Sequence, residues 1–131
     1  MHAKPSTFLL FVYGTLKRGG CRHGPLAGQR YRGETRTRPR YALYDLGNYP
    51  GLTADHENGQ AVQGEVYEVE ETLSTWLDTV EGAPDWFKRA LIEVEGFSEP
   101  VWAYFYQGDP AGTQRIASGR WNNDRSAESD S

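Results

Sequence analysis

From Phe8 to Val12 the chain reads Phe-Leu-Leu-Phe-Val, five apolar residues without interruption, and then breaks into the glycine-flanked stretch Tyr13-Gly14-Thr15-Leu16-Lys17-Arg18-Gly19-Gly20. An unbroken apolar run predicts a strand buried on both faces. Farther on the pattern changes. Residues 31 to 38 and 41 to 45 read as strands parted by Pro39, and Val62, Gly64, Val66, Tyr67 and Val69, set among Gln63, Glu65, Glu68 and Glu70, form a largely alternating strand. Between these, Gly24, Pro25 and Gly28 leave room for about one helical turn near Leu26, and Gly47, Asn48, Pro50 and Gly51 predict a turn in which Tyr49 is either a pocket lid or a turn aromatic. Leu73, Trp76, Leu77 and Val80 then fall at i, i+3, i+4 and i+7, one apolar face of a helix with Thr72 as its N-cap and Gly82 and Pro84 as its stop. Residues 89 to 95 and 100 to 107 predict a last strand pair joined around Gly96, with Leu91, Trp102, Tyr104 and Tyr106 facing a core, before a short element over 116 to 121.

The length of 131 residues suits one domain. Its expected extent is 7–121, between a disordered polar leader, 1–6, and a disordered charged tail, 122–131. A net charge of −4 argues against a nucleic-acid partner. Arg30, Arg32, Arg36, Arg38 and Arg40 do cluster, but their even spacing puts them on one face of a strand, where they read as a solvated surface. A single Cys21 excludes an internal disulfide, and neither a membrane-length apolar run nor a signal-peptide core is present, so the expectation is a cytoplasmic protein without a membrane partner. Cys21 and His23 are too few for a metal site, with only His2 and His56 to add, and no metal is expected.

Two stretches carry candidate chemistry. In Tyr13-Gly14-Thr15-Leu16 the missing Cβ of Gly14 lets main-chain N–H groups come close to a ligand above the strand end. A phosphate-cradling loop would need Lys and Ser or Thr after its second glycine, where Gly20 and Cys21 stand, so a nucleotide site is rejected. The second is Glu81, four residues after Leu77, which helical geometry stacks on the apolar stripe while Asp78 and Thr79 face solvent. Desolvation and the helix C-terminus would both raise its pKa, which suits proton shuttling. The competing reading is a frayed, solvated helix end. Cys21 beside His23 is a further candidate nucleophile, without an identifiable base other than that histidine.

Together these stretches resemble the gamma-glutamylcyclotransferase superfamily, and within it the gamma-glutamylamine cyclotransferases. The likeness is carried by Val12-Tyr13-Gly14-Thr15-Leu16-Lys17-Arg18-Gly19, by Tyr49-Pro50-Gly51, by Gly64-Glu65-Val66-Tyr67, and by Leu77-Asp78-Thr79-Val80-Glu81-Gly82 with Phe87 and Arg89 after it. It implies an α+β fold, a small mixed β-barrel flanked by short helices, with the loop and the glutamate facing each other across a cavity. It implies no cofactor. Its reaction is cyclisation of a small-molecule gamma-glutamyl amide to 5-oxoproline, with Glu81 as the catalytic residue and Tyr13, Gly14, Thr15 and Leu16 holding the gamma-glutamyl group. Phe87 stands where the family usually has tyrosine, so a hydroxyl is missing there. The same barrel and cavity would also serve a non-catalytic binding or scaffold domain, in which Glu81 is only a helix-end carboxylate.

Overall fold

In the computed structural model, residues 6–20, 23–81 and 86–123 are described. The apolar run forms strand β1, Thr7–Val12, the middle strand of a five-stranded sheet. On one side it pairs antiparallel with β5, Gln63–Glu70, which in turn carries β2, Arg30–Arg36. On the other it pairs parallel with β7, Val101–Tyr106, whose antiparallel neighbour is the edge strand β6, Phe87–Ile92. A second sheet of three strands is built from β3, Tyr41–Asp45, flanked by β4, Pro50–Ala54, and by the two-residue β8, Gln114–Arg115.

Alternation along β1 explains why the run has to be apolar throughout. Leu9 and Phe11 enter a core shared with Leu43, Leu52, Val62 and Trp121, whereas Leu10 and Val12 enter a second one with Leu26, Tyr67, Val69, Leu77 and Phe87. The close approach expected at Gly64 is real: a Cβ there would sit 2.4 Å from the Val12 carbonyl oxygen and 2.6 Å from the Phe11 ring. The single helical turn near Leu26 is a 3-10 turn over Gly24–Leu26.

The implied barrel is corrected to two sheets. Among the described residues the larger sheet meets itself at one end only, through a Thr37–Val94 bridge supported by Arg38 N–H to Glu93 O at 3.0 Å and Glu95 N–H to Arg36 O at 3.0 Å. The register of β2 on β5 shifts between Tyr31 and Gly33, with Gly33 at φ 126°, and the pairing then resumes from Gly33 to Arg36.

Other expectations change as well. Thr72 does not cap the helix: Glu71–Leu73 is a 3-10 turn, and the helix α1 is Ser74–Glu81. Leu77 is fully buried but Trp76 is 43% exposed, because a helix this short covers its sheet with little more than one side chain. The proposed stop at Gly82 and Pro84, the Val80 side chain and Cys21 lie outside the described residues. Leu91 is 58% exposed, since it points outward from the edge strand β6. Pro50 and Gly51 open strand β4 instead of ending a turn, and the last element is β8 followed by turns over 116 to 121. The arginine series is solvent-facing, pairing Arg32 with Glu68 at 2.9 Å, Arg36 with Glu95 at 2.8 Å and Arg40 with Glu93 at 3.5 Å.

Buried polar groups are hydrogen-bonded, and two sets generate predictions. Thr37 is fully buried; its Oγ1 accepts from Val62 N–H at 2.9 Å and donates to Arg38 O at 2.8 Å. Thr37→Val removes that acceptor and lowers stability by about 1–3 kcal/mol, read from the urea midpoint. Tyr13, Tyr67 and Tyr104 donate to Tyr104 O, Glu65 and Asp78, at 2.5, 3.1 and 2.6 Å. Burial first, and then the charges of Glu81 on Tyr13 and Glu65 on Tyr67 and the hydrogen bond of Tyr104 to Asp78, hold all three phenols above the ordinary value of 10.0. The folded chain therefore keeps protons that the unfolded chain loses, so this stabilisation is complete below the ordinary value and drains away as pH rises above it. Urea midpoints taken from about pH 8 to about pH 11 fall at the alkaline end, and a flat profile there contradicts the assignment.

Candidate functional site

Strand β1 ends at Val12, and the chain turns at once: Lys17 N–H donates to Gly14 O at 3.0 Å, and a second turn follows with Gly20 N–H on Lys17 O at 2.8 Å and Gly19 at φ 85°. Tyr13, Gly14, Thr15, Leu16 and Lys17 are all buried, so this loop is a packed part of the fold. Gly14 is required on its outer side, where a Cβ would stand 2.6 Å from Cγ and 2.7 Å from Cδ of Pro50. Glu65 fixes the far end. Its Oε1 accepts from the Arg18 main-chain N–H at 3.0 Å, and its Oε2 lies 3.7 Å from Arg18 Nε. His23 Nδ1, 2.9 Å from the Leu16 carbonyl, donates to it and so carries the proton. That gives His23 a structural role, and among the described residues no three His, Cys, Asp or Glu side chains gather as a metal site.

A small cleft, about 20 Å³ in volume, lies over the loop. Its floor is the end of β1 and the loop itself, Phe11 to Leu16, and its walls are Tyr49 and Pro50, Phe87, Tyr104, and Glu81 from the last position of α1. All five residues singled out in the sequence, Tyr13, Gly14, Thr15, Leu16 and Glu81, therefore line one cleft. Glu81 is half-buried, and its charge reaches both Tyr13 and Tyr104, contributing to the upward shift of each phenol after the larger effect of burial. Tyr49 settles as a cleft wall, its ring edge-on to Phe87 at 5.9 Å.

Asp78 corrects one expectation. Predicted to face solvent, it is half-buried, accepts a hydrogen bond from Tyr104 Oη at 2.6 Å and lies 4.0 Å from the Arg89 guanidinium. Thr79 alone is exposed, its hydroxyl bonded back to Thr75 O at 2.9 Å. The Asp78 contact ties α1 to β6 and β7 one turn before Glu81, and so holds the carboxylate over the loop. Tyr104 was legible only as a core aromatic of an alternating strand; its place in the cleft follows from the parallel pairing of β7 with β1, which no local pattern announces. A second depression lies behind the loop, with Lys17, Glu65 and Arg120 in its wall, and shares no lining residue with the cleft. Burial, together with the neighbouring charge of Arg120, pulls the Lys17 ammonium below its ordinary pKa.

Comparison with known proteins follows the same boundaries. The family described as gamma-glutamyl cyclotransferase, AIG2-like, matches residues 10–123. A putative gamma-glutamylcyclotransferase of Vibrio cholerae is 42% identical over 113 residues, 86% of this chain and 94% of that protein. The gamma-glutamylaminecyclotransferase of Bos taurus is 37% identical over 106 residues, 74% of this chain and 63% of that one. Among solved structures, an AIG2-like protein of Mus musculus superposes with a TM-score of 0.73 at 27% identity, covering 88% of this chain and 95% of that chain. An uncharacterized protein of Pyrococcus horikoshii gives 0.74 at 23%, covering 94% and 95%, a likeness of fold. A match that starts inside β1 and runs past the last strand, joined to 42% identity along nearly the whole of the Vibrio protein, makes this chain a member of the gamma-glutamyl cyclotransferase, AIG2-like family.

Proposed function

We propose that this chain cyclises a gamma-glutamyl amide to 5-oxoproline and releases an amine or amino acid, with Glu81 as the proton-transferring residue. The observation that carries the reading is the meeting of Glu81 and the loop Tyr13 to Leu16 in one cleft, from elements far apart in sequence. The nucleophile belongs to the substrate. Its alpha-amine attacks its own gamma-carbonyl, a new C–N bond closes the five-membered ring, the old C–N bond to the leaving amine breaks, and no water is consumed.

An intramolecular attack asks chiefly that the glutamyl chain be folded into a near-attack conformer, which suits a cleft walled by rigid aromatics. At neutral pH the alpha-amine is largely protonated, so a base has to take that proton before the lone pair is available. Glu81 takes it, and as the tetrahedral intermediate collapses the ring nitrogen gives up its second excess proton as well; both protons end on the departing amine, which leaves as an ammonium, and the carboxylate ends the cycle unchanged. The main-chain N–H groups of Gly14 to Leu16 serve as donors to the alpha-carboxylate or to the developing oxyanion. Tyr104, kept as a neutral phenol and already bonded to Asp78, supports the wall beside Glu81 without changing charge. The bovine relative is named gamma-glutamylaminecyclotransferase, and a gamma-glutamylamine is one of the substrate choices this reading admits.

Glu81→Gln keeps the side-chain shape and removes the proton acceptor, so 5-oxoproline release falls roughly 10²- to 10⁴-fold while the thermal transition survives. A variant turning over gamma-glutamyl substrates at the parent rate would sink the mechanism; a parent protein that releases no 5-oxoproline from any of a panel of gamma-glutamyl amines and peptides favours the scaffold alternative. Gly14→Val drives a branched side chain into the Pro50 ring, which stands at 2.6 Å from the first added carbon, and overpacking of this kind costs about 1–3 kcal/mol. Both turnover and melting temperature drop in that variant, and full activity would remove the loop from the site.

A further inference from the structure

The segment after β8 is fastened along its course. Gln60 Nε2 donates to Ile116 O at 3.0 Å, Gln63 N–H donates to Gly119 O at 2.8 Å, and the Trp121 side chain is 4% exposed in the core beneath β1. Its end then reaches the loop. Lys17 Nζ donates to Trp121 O at 2.7 Å, Trp121 Nε1 donates to Asn123 Oδ1 at 3.1 Å, and Asn123 Nδ2 donates to Gly14 O at 3.2 Å. Asn123 lies in 122–131, the stretch the sequence reads as a tail, and is tied to both Trp121 and Gly14.

The chemistry of these partners leaves no freedom in how the amide is oriented. An indole N–H only donates and a carbonyl only accepts, so Oδ1 has to face Trp121 and Nδ2 has to face Gly14. Asparagine meets both demands; aspartate meets the first alone. At Gly14 the carbonyl now holds two donors, the Lys17 N–H at 3.0 Å and Asn123 Nδ2 at 3.2 Å, which occupy both of its lone pairs. A trans peptide is planar, with its C=O and N–H pointing in opposite directions. Fixing the Gly14 oxygen therefore fixes the direction of the Thr15 N–H, and Thr15 lines the cleft.

We propose that Asn123 is a positioning residue: by clamping the Gly14 carbonyl to the segment anchored by the buried Trp121, it aims the Thr15 N–H at the group the loop binds. This rests on the reading that the cleft takes a gamma-glutamyl amide. The donor acts at full strength only while its direction is set before substrate arrives, and a loop free to tilt about the 14–15 peptide spends part of its time misdirected.

The test compares the full chain with Asn123→Ala and Asn123→Asp. Turnover of a gamma-glutamyl substrate panel is measured beside backbone amide exchange and chemical shift at Thr15 by NMR. Both variants lower kcat/KM by roughly three- to tenfold, the scale of one lost hydrogen bond, and Thr15 N–H exchanges faster in each. Asn123→Asp is hit at least as hard as Asn123→Ala, because it keeps the acceptor for Trp121 yet turns a carboxylate toward the Gly14 carbonyl. A merely structural Asn123 gives a different result: Asp largely preserves the Trp121 contact and sits near the parent, and kcat/KM follows only the melting temperature. The loss falling in KM assigns the Thr15 N–H to a group bound equally in ground and transition states, and the loss falling in kcat assigns it to charge that develops in the reaction. Either supports the proposal. Parent kcat/KM in both variants overturns it, and so does an unchanged Thr15 amide. A parent protein inactive on every gamma-glutamyl substrate removes the functional reading instead, and the Thr15 amide then decides the clamp by itself.

Discussion

Strand β1 is bonded along both edges and covered on both faces, and this full enclosure constrains everything above it. A strand in that position cannot shift by one residue without exchanging Leu9 and Phe11 for Leu10 and Val12 between two differently shaped cores. The turn that follows inherits that fixity. The strand delivers the loop to one place, and side chains hold it there: Glu65 accepts from the Arg18 N–H, His23 donates to the Leu16 carbonyl and Asn123 donates to the Gly14 carbonyl.

The helix bearing Glu81 is short and makes modest apolar contact of its own, so its placement depends on polar links. Tyr13 Oη donates to the Tyr104 carbonyl, and Tyr104 Oη donates to Asp78, which makes one tyrosine of β7 a bridge between loop and helix. Both donors are phenols whose burial disfavours ionisation, so each keeps the proton it donates. Among the described residues Glu81 is the one charged side chain lining the cleft, with Asp78 and Arg89 beside its Tyr104 wall, while the cations Lys17 and Arg18 are engaged behind the loop.

How much of this was legible in the sequence depended on how local the determining force was. Buried β1, the alternation of β5 and the strand β3 follow from side-chain period alone, and their bounds agree with the pattern closely. The pairing of Glu81 with Tyr13 to Leu16 came from the family likeness, with the apolar stripe on Leu73 and Leu77 as its physical hint. What escaped were features set by distant partners. Leu91 looks like a core residue until β6 is known to be an edge; Asp78 looks solvent-facing until Tyr104 of β7 is placed beside it. Strand β4 was hidden because Pro50 and Gly51 are turn formers whose extended state is imposed by the register with Tyr44 and Asp45. The way the edges of the larger sheet meet is of the same kind, since the Thr37–Val94 bridge joins residues far apart in the chain.

The parallel pairing of β1 with β7 also orders events in time. Tyr13 meets Tyr104 across 91 residues of chain, and Lys17 meets Trp121 across 104. Contacts at such separation form slowly, because loop-closure entropy is lost before any packing is gained. During synthesis β1 waits with one edge unpaired and its apolar faces incompletely covered until β7 has emerged, a period in which such a strand is open to mispairing. The cleft therefore lacks a wall until Tyr104 of β7 is in place beside the loop.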